Sequence, residues 1–562
     1  MLSFWDLVAI LLVLGALVFL AEASRGLVRP LPEPGVSAIT LDPAALPGYA
    51  ARTTLRMLAA MALSLLFTFT YATWAAKSRR AEVVLMPLLD ILQSVPILGF
   101  ISVTVVFFMS LAPGRMLGAE FAAIFAIFTS QAWNMAFSFY QSLRTVPEEL
   151  QEAARSFRLG PWMRFWRLEV PFAMPALVWN MMMSMSGGWF FVVASEAISV
   201  GDTTVALPGI GSYIALAIAE RDLGAIGWAV GAMLVVILIY DQLLFRPLVA
   251  WADRFRFEQE GGAVPPRSWV LMALRRSRLV SLAIAPVASV WRWTYRAMPK
   301  AGNPSHETRL SERTARWTDR LWYAVVIAVA GLALWKVAQF VSTGVSLAEA
   351  GTAVLYGLAT MARVSVLIAI ASAIWVPIGV WIGLRPNAAR FAQPVAQFMA
   401  AFPANLLFPF AVSAVAAFRL DPDIWLSPLM VLGTQWYILF NVIAGASTIP
   451  GELRDIGTNL RVRGWLWWRR IALPAIFPFY LTGAITASGG SWNASIVAEV
   501  ASWGQDKLQA HGLGAYIAQA TEAGDFHRIV LGISVMSAFV VVINRAFWRP
   551  LYARAERKFR LG

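Results

Sequence analysis

Few side chains in this 562-residue chain could do chemistry, and most bond-making chemistry is excluded at once. There is no cysteine, so disulfides, thiolate nucleophiles and Cys-ligated metals are ruled out. His306, His511 and His527 stand apart, without the closely spaced partners that a metal site takes. The five lysines are Lys77, Lys300, Lys336, Lys507 and Lys558, and none follows a glycine, so no Gly-Lys-Ser/Thr loop can cradle a nucleotide phosphate. Two kinds of residue remain. One is a run of paired charges at helical spacing, "EELQEAARSFRLGPWMRFWRLEVP" at 148–171, which suits docking rather than catalysis. The other is a set of polar and ionisable side chains inside apolar runs, where their cost makes each a functional candidate.

The elements that must position them cross a membrane. Hydrophobic residues are 59% of the chain and mean hydropathy is +0.64, against about 45–50% apolar content in soluble domains. A bilayer core needs about 20 apolar residues per helix. Twelve runs qualify: 5–21, 53–76, 83–112, 118–143, 172–200, 224–246, 321–343, 352–384, 392–418, 425–446, 475–499 and 527–548. The expectation is an all-α membrane protein of about twelve transmembrane helices. Residues 1–250 form a first repeat (core 50–250, with the extra span 5–21), 251–320 a basic linker, and 321–562 a second repeat (core 350–555). The short first span is followed by "AEA" at 21–23, which resembles a signal-peptidase site, so residues 1–23 are either retained or cleaved.

The net charge of +14 would suit nucleic acid or a membrane surface, and its distribution decides for the membrane. Residues 246–320 hold 14 Arg/Lys against 6 Asp/Glu, and Lys77–Arg80, Arg385–Arg390 and Arg549–Arg560 border apolar spans. That is the pattern of cytoplasmic loops, and it places both termini and residues 148–171 in the cytoplasm. No nucleic-acid partner is expected; membrane lipid is. The linker stretch 267–296 mixes Arg with apolar residues at helical spacing, as a helix on the membrane surface or against the protein's own base would.

The sequence repeats itself at a constant offset of 303: Trp133 with Trp436, Glu149 with Glu452, Arg158 with Arg461, Trp162 with Trp465, Pro171 with Pro474, Glu196 with Glu499, Gly209 with Gly512, Asp222 with Asp525 and Arg246-Pro247-Leu248 with Arg549-Pro550-Leu551. Upstream the offset becomes 307, pairing Pro87 with Pro394 and Pro96 with Pro403. Six spans return the chain to its starting side, so the halves are parallel six-helix repeats with a substrate path expected between them.

Thr145-Val-Pro-Glu148 fits a capping box, with Pro147 in the first turn. Glu148, Glu149 and Glu152 then favour the positive end of the helix, and Ala153-Ala154 leave room for close approach. Gly160-Pro161 is expected to break the helix, and Pro171 to end a second short one. The copy at 451–474 has the same layout, with its break at Gly464.

"EAARSFRLGPWMRFWRLEVP" resembles the EAA loop of ABC importer permeases, and the resemblance covers both halves, about 50–250 and 350–555. With Glu196 and "LPGIGSYI" downstream, the chain is most similar to the nitrate, sulfonate, taurine and bicarbonate group. The resemblance implies a type I importer permease with no cofactor of its own, working in a bacterial inner membrane. ATP and Mg²⁺ would sit on a separate cytoplasmic ATPase dimer, and a periplasmic binding protein would deliver substrate. It assigns ATPase coupling to Glu148, Glu149, Glu152, Ala153, Ala154, Arg158 and Gly160, and to Glu452, Asp455, Gly457, Arg461 and Gly464. Two departures stand out. Arg158 and Arg461 occupy the family's glycine position, which implies that the turn has moved to Gly160 and Gly464. Asp455-Ile456-Gly457 replaces Glu-Ala-Ala.

Ionisable residues within spans are Asp90, Glu196, Asp241, Lys336, Arg363 and Glu499. Glu196 and Glu499 recur in the repeat, and their acidity fits a structural or gating role better than anion capture. Neutral groups hold an oxyanion weakly enough to release it, which makes Gln131, Trp133, Asn134 and Ser186, and Gln435, Trp436, Asn441, Ser488, Trp492 and Asn493, path candidates. The substrate expectation is a small oxyanion such as nitrate, sulfonate or bicarbonate, with a small nitrogenous compound as the alternative. An ion-coupled secondary carrier with parallel repeats is the rival class; it would not need duplicated charged loop helices.

Overall fold

The computed structural model describes residues 39–200, 203–255, 268–278, 312–447, 451–503 and 506–559, with scattered single positions elsewhere. Apart from Asp6 and Gly15, the expected span 5–21 lies outside the described residues, as do His306 and most of the linker. The first half comprises α1 (Pro43–Lys77), α2 (Arg79–Ser94), α3 (Ile97–Leu111), α4 (Met116–Arg144), α5 (Glu148–Ser156), α6 (Pro161–Glu196), a hairpin of β1 (Ala197–Val200) and β2 (Thr203–Ala206), α7 (Ile210–Ala219) and α8 (Leu223–Phe255). A short α9 (Trp269–Arg276) buries Val270 and Ala273 against the end of α8, so this part of the linker packs on the protein itself.

The second half opens with α10 (Glu312–Gly344) and then repeats the order. It continues through α11 (Leu347–Gly383), α12 (Pro386–Ala401), α13 (Ala404–Ala417), α14 (Pro422–Leu432), α15 (Gln435–Ser447), α16 (Gly451–Asn459), α17 (Gly464–Ala498), β3 (Val500–Trp503), β4 (Asp506–Gln509), α18 (Leu513–Glu522) and α19 (Phe526–Ala555). The protein is a multi-pass membrane protein. Among the described residues eight helices are long and apolar enough to cross a bilayer, and α14 with α15 forms a ninth, bent by 44°.

Two further expected spans are also broken pairs. Residues 83–112 divide into α2 and α3 at Val95-Pro96, and 392–418 into α12 and α13 at Phe402-Pro403. Proline pushes the residue before it out of the helical region, and Val95 is accordingly extended (φ −75°, ψ 125°). These broken pairs lock the halves together. Leu98 of the first half lies in the second half's core, and Leu406 of the second half lies in the first half's core. The backbone N–H of Ile97 donates to Asn493 Oδ1 at 2.7 Å across the same boundary.

Pro171 and Pro474 do not end their helices, as the sequence suggested. Each lies near the start of the long run of α6 or α17, just after a turn at 165–169 or 468–472 where the hydrogen bonding widens to i→i+5. That wider turn lets the helix continue past a residue without an N–H. Another matched pair of wide turns lies at 241–245 and 544–548.

Candidate coupling loops, central cavity and polar locks

At one end of the bundle α5 and α16 project as short helices. Glu148, Glu149, Glu152 and Ala153 are exposed on α5, while Ala154 is buried at 5%. In α16, Asp455 is exposed and Gly457 is buried; a Cβ at Gly457 would come within 2.8 Å of Ile471. The small residue thus faces the protein's own base, and the face around Glu152 and Asp455 points away. The side chain of Glu452 lies outside the described residues.

The expected capping box is not formed. Pro147 is the N-cap and gives no side-chain hydrogen bond, while Thr145 Oγ1 donates back to the Gln141 and Ser142 carbonyls. The expected turn holds only in part. α5 ends at Ser156, and Arg158 itself takes the left-handed conformation (φ 48°); in the second loop both Arg461 (φ 51°) and the expected Gly464 (φ 58°) are left-handed. The amide of Leu159 reaches Ala154 O at 3.0 Å and that of Arg158 reaches Arg155 O at 2.9 Å, a Schellman closure. Val462 to Gly457 (2.8 Å) and Arg461 to Thr458 (3.1 Å) repeat it. Gly160 (φ −63°) instead N-caps α6, with Pro161 at its first position. Just before each reversal an apolar side chain stands free in solvent, Phe157 at 78% exposure and Leu460 at 71%. These two are equivalent by the 303 offset.

Between the halves lies a cavity of about 120 Å³. Of the path candidates it gathers Trp133, Asn134, Ser488, Trp492 and Asn493, and it adds Gln93, Thr129, Ser130, Tyr437 and Asn544, which sequence reasoning did not single out. The lining carries no ionisable acid or base except the Tyr437 phenol. The other candidates lie elsewhere. Gln131 is buried against Met185, Ser186 lines a separate small pocket, Gln435 accepts from Trp375 Nε1 at 2.8 Å, Trp436 lies tilted against Trp375 with ring centroids 5.0 Å apart, and Asn441 bonds the Tyr437 carbonyl.

Glu196 and Glu499 sit in two copies of one polar lock at the opposite end from α5 and α16. In the first, Arg56 forks onto Glu120 (2.5 and 2.7 Å) and reaches Glu196 Oε1 at 2.6 Å. Thr53 Oγ1 donates to the same oxygen at 2.7 Å, and the Gly211 amide donates to Glu196 Oε2 at 2.6 Å. One carboxylate thereby joins α1, α4, the end of α6 and the start of α7. Gly209 and Gly211 are glycine because a Cβ at either would collide with that carboxylate.

In the second copy Arg363 bridges Glu499 (3.1 Å) and Asp423 (2.9 Å), Thr360 donates to Glu499 at 2.8 Å, and Gly512 and Gly514 hold the glycine positions. The copies differ in sealing. Arg56 and Glu120 are 2% and 5% exposed at their side chains, Arg363 and Asp423 15% and 35%, and His511 covers Asp423 at 3.0 Å. Arg56 and Glu120 were missed in the sequence, although the offsets pair them with Arg363 and Asp423. Of the remaining intramembrane ions, Asp241 pairs with Arg246 at 3.1 Å and Lys336 contacts Gln339.

Residues 68–246 and 375–558 each match the family described as "Binding-protein-dependent transport system inner membrane component". The chain belongs to that family. The match falls once in each half, so two permease domains are fused in one polypeptide. Among curated relatives, this permease is 26% identical over 190 residues to the bicarbonate transport system permease protein CmpB of Synechococcus elongatus, covering 34% of this chain and 64% of the relative. It is 24% identical over 202 residues to the nitrate import permease protein NrtB of Synechocystis (36% and 70%), and 29% over 172 residues to the glycine betaine/carnitine transport permease protein GbuB of Listeria monocytogenes (30% and 55%). The chain thus spans a little under two thirds of the bicarbonate relative's length.

Proposed function

We propose that this permease is the membrane subunit of an ATP-driven importer, moving a small solute inward by alternating access when a separate ATPase dimer pulls on α5 and α16. The observation that carries the reading is the pair of exposed apolar knobs, Phe157 and Leu460, at equivalent positions just past the ends of the two charged loop helices. Large apolar groups free at the tip of a charged element mark a partner surface. Both termini and both loop helices are cytoplasmic in this reading, and a substrate-binding protein docks near α7 and α18. Glu149, Glu152, Arg158, Asp455 and Arg461 ring the knobs as the polar rim of that surface.

The test is copurification of the tagged chain with its ATPase. Phe157→Asp and Leu460→Asp should each weaken the complex by about tenfold or more, as anchors in an interface do. Undiminished binding in the double variant, or uptake that ignores ATP and collapses with an ion gradient, would overturn the reading.

For the substrate we propose a small oxyanion such as nitrate or bicarbonate. The support is the small central cavity lined by neutral amides and hydroxyls. A second reading has its own support: Trp133, Tyr437, Trp492 and Trp548 line the same cavity, and aromatic faces attract quaternary ammonium groups. Competition of labelled uptake by nitrate, bicarbonate, an alkyl sulfonate and glycine betaine separates the two.

A further inference from the structure

The second half has an apolar groove on its α17 side. It is about 690 Å³ in volume, runs between α11 and α17, and is walled by Val376, Pro377, Trp468, Phe477 and Tyr480, with Trp465 and Arg469 at its mouth. Away from the mouth its side-chain polar groups are the Trp468 indole N–H and the hydroxyls of Ser372 and Tyr480, which bond each other at 3.0 Å. The helix rises about 22 Å from Trp465 to Tyr480, enough to run through one leaflet of about 15 Å.

The repeat shows how such a space is closed when it is not used. At the equivalent positions the first half has Phe69 for Val376, Phe139 for Val442, Phe165 for Trp468 and Trp166 for Arg469. Phe69 packs its ring against Phe139 (5.2 Å), Phe165 (6.5 Å) and Trp166 (5.8 Å), and the site is filled. Val376 in place of Phe69 leaves the groove open, and an exposed arginine replaces the tryptophan at its mouth. An apolar slot open to the bilayer takes an acyl chain. A cation at the depth of the head groups selects an anionic lipid.

We propose that this groove holds one chain of an anionic phospholipid, with its phosphate on Arg469. The lipid would lie against the base of α17, directly behind the loop helix α16.

Native mass spectrometry of the full-length protein, released from nanodiscs of equal parts phosphatidylglycerol and phosphatidylcholine, tests this. The wild type should retain phosphatidylglycerol in preference. Arg469→Gln should reduce that preference by about tenfold, the effect of losing one charge-assisted hydrogen bond. Val376→Phe should lose the bound lipid of both kinds, and Ala373→Leu at the groove wall provides a second filling variant if Val376→Phe does not fold. A photo-crosslinker at Ala373 should capture lipid. Capture of residues 256–311 of the same chain, equal retention of the two lipids, or variants that retain lipid as the wild type does would each refute the proposal.

Discussion

Arg158→Gly isolates what the left-handed arginine contributes. A left-handed L-residue costs about 1–2 kcal/mol, and glycine removes that strain while adding about 0.5–1 kcal/mol of entropy lost on folding. The net expectation is a stabilisation of the α5 end by about 0.5–1 kcal/mol, a two- to fivefold rise in local protection. The amides that report it are those of Phe157, Arg158 and Leu159, which close the helix onto Ala153, Arg155 and Ala154. Arg155→Gly is the control. Arg155 is helical and exposed, so glycine there should lower protection by about 1 kcal/mol, or fivefold. Hydrogen exchange with mass spectrometry on residues 145–165 reads both. A fall in protection in Arg158→Gly, or the same sign of change in both variants, would refute the conformational argument. Measured beside it, ATPase binding shows whether the guanidinium also grips: binding that drops while protection rises assigns it a contact.

The polar locks should respond unequally. Arg56→Met leaves Glu120 and Glu196 buried without a cation, which should cost about 3–5 kcal/mol, while Arg363→Met should cost less because Asp423 is open to solvent; thermal melts of the two purified variants compare them. Gly211→Ala should destabilise by about 1–3 kcal/mol, since its Cβ would come within 2.5 Å of the Val193 carbonyl, which is backbone and cannot rotate away. Gly227→Ala in α8 meets nothing within 4 Å and should stabilise by about 1 kcal/mol in the same assay. Asn493→Ala removes the acceptor for the Ile97 amide and should cost about 1–3 kcal/mol, with transport lost at temperatures where the fold still holds.

The repeat, the spans and the two loop helices were legible because each rests on pattern: apolar length, a constant offset and a charged amphipathic run. The polar lock was legible in part. Glu196 and Glu499 stand out as a repeated pair, but a single span gives no sign that Arg56 and Glu120 belong with Glu196, because the lock is made by four elements meeting. The reversal at Arg158 misled for a physical reason. Glycine is the usual left-handed residue, so the sequence points to the nearest glycine, yet among the described residues all four non-glycine left-handed positions are arginine: 158, 221, 419 and 461. The wide turns at 165–169 and 468–472 left no mark in the sequence, since one shifted hydrogen bond changes no residue type.

The exchange of Leu98 and Leu406 limits how the two halves can part. Each broken pair is a tenon seated in the opposite body, so neither body can slide along the other or separate at both ends at once without pulling an apolar residue out of its socket. A motion that keeps both leucines seated must therefore turn about the two sockets rather than open there.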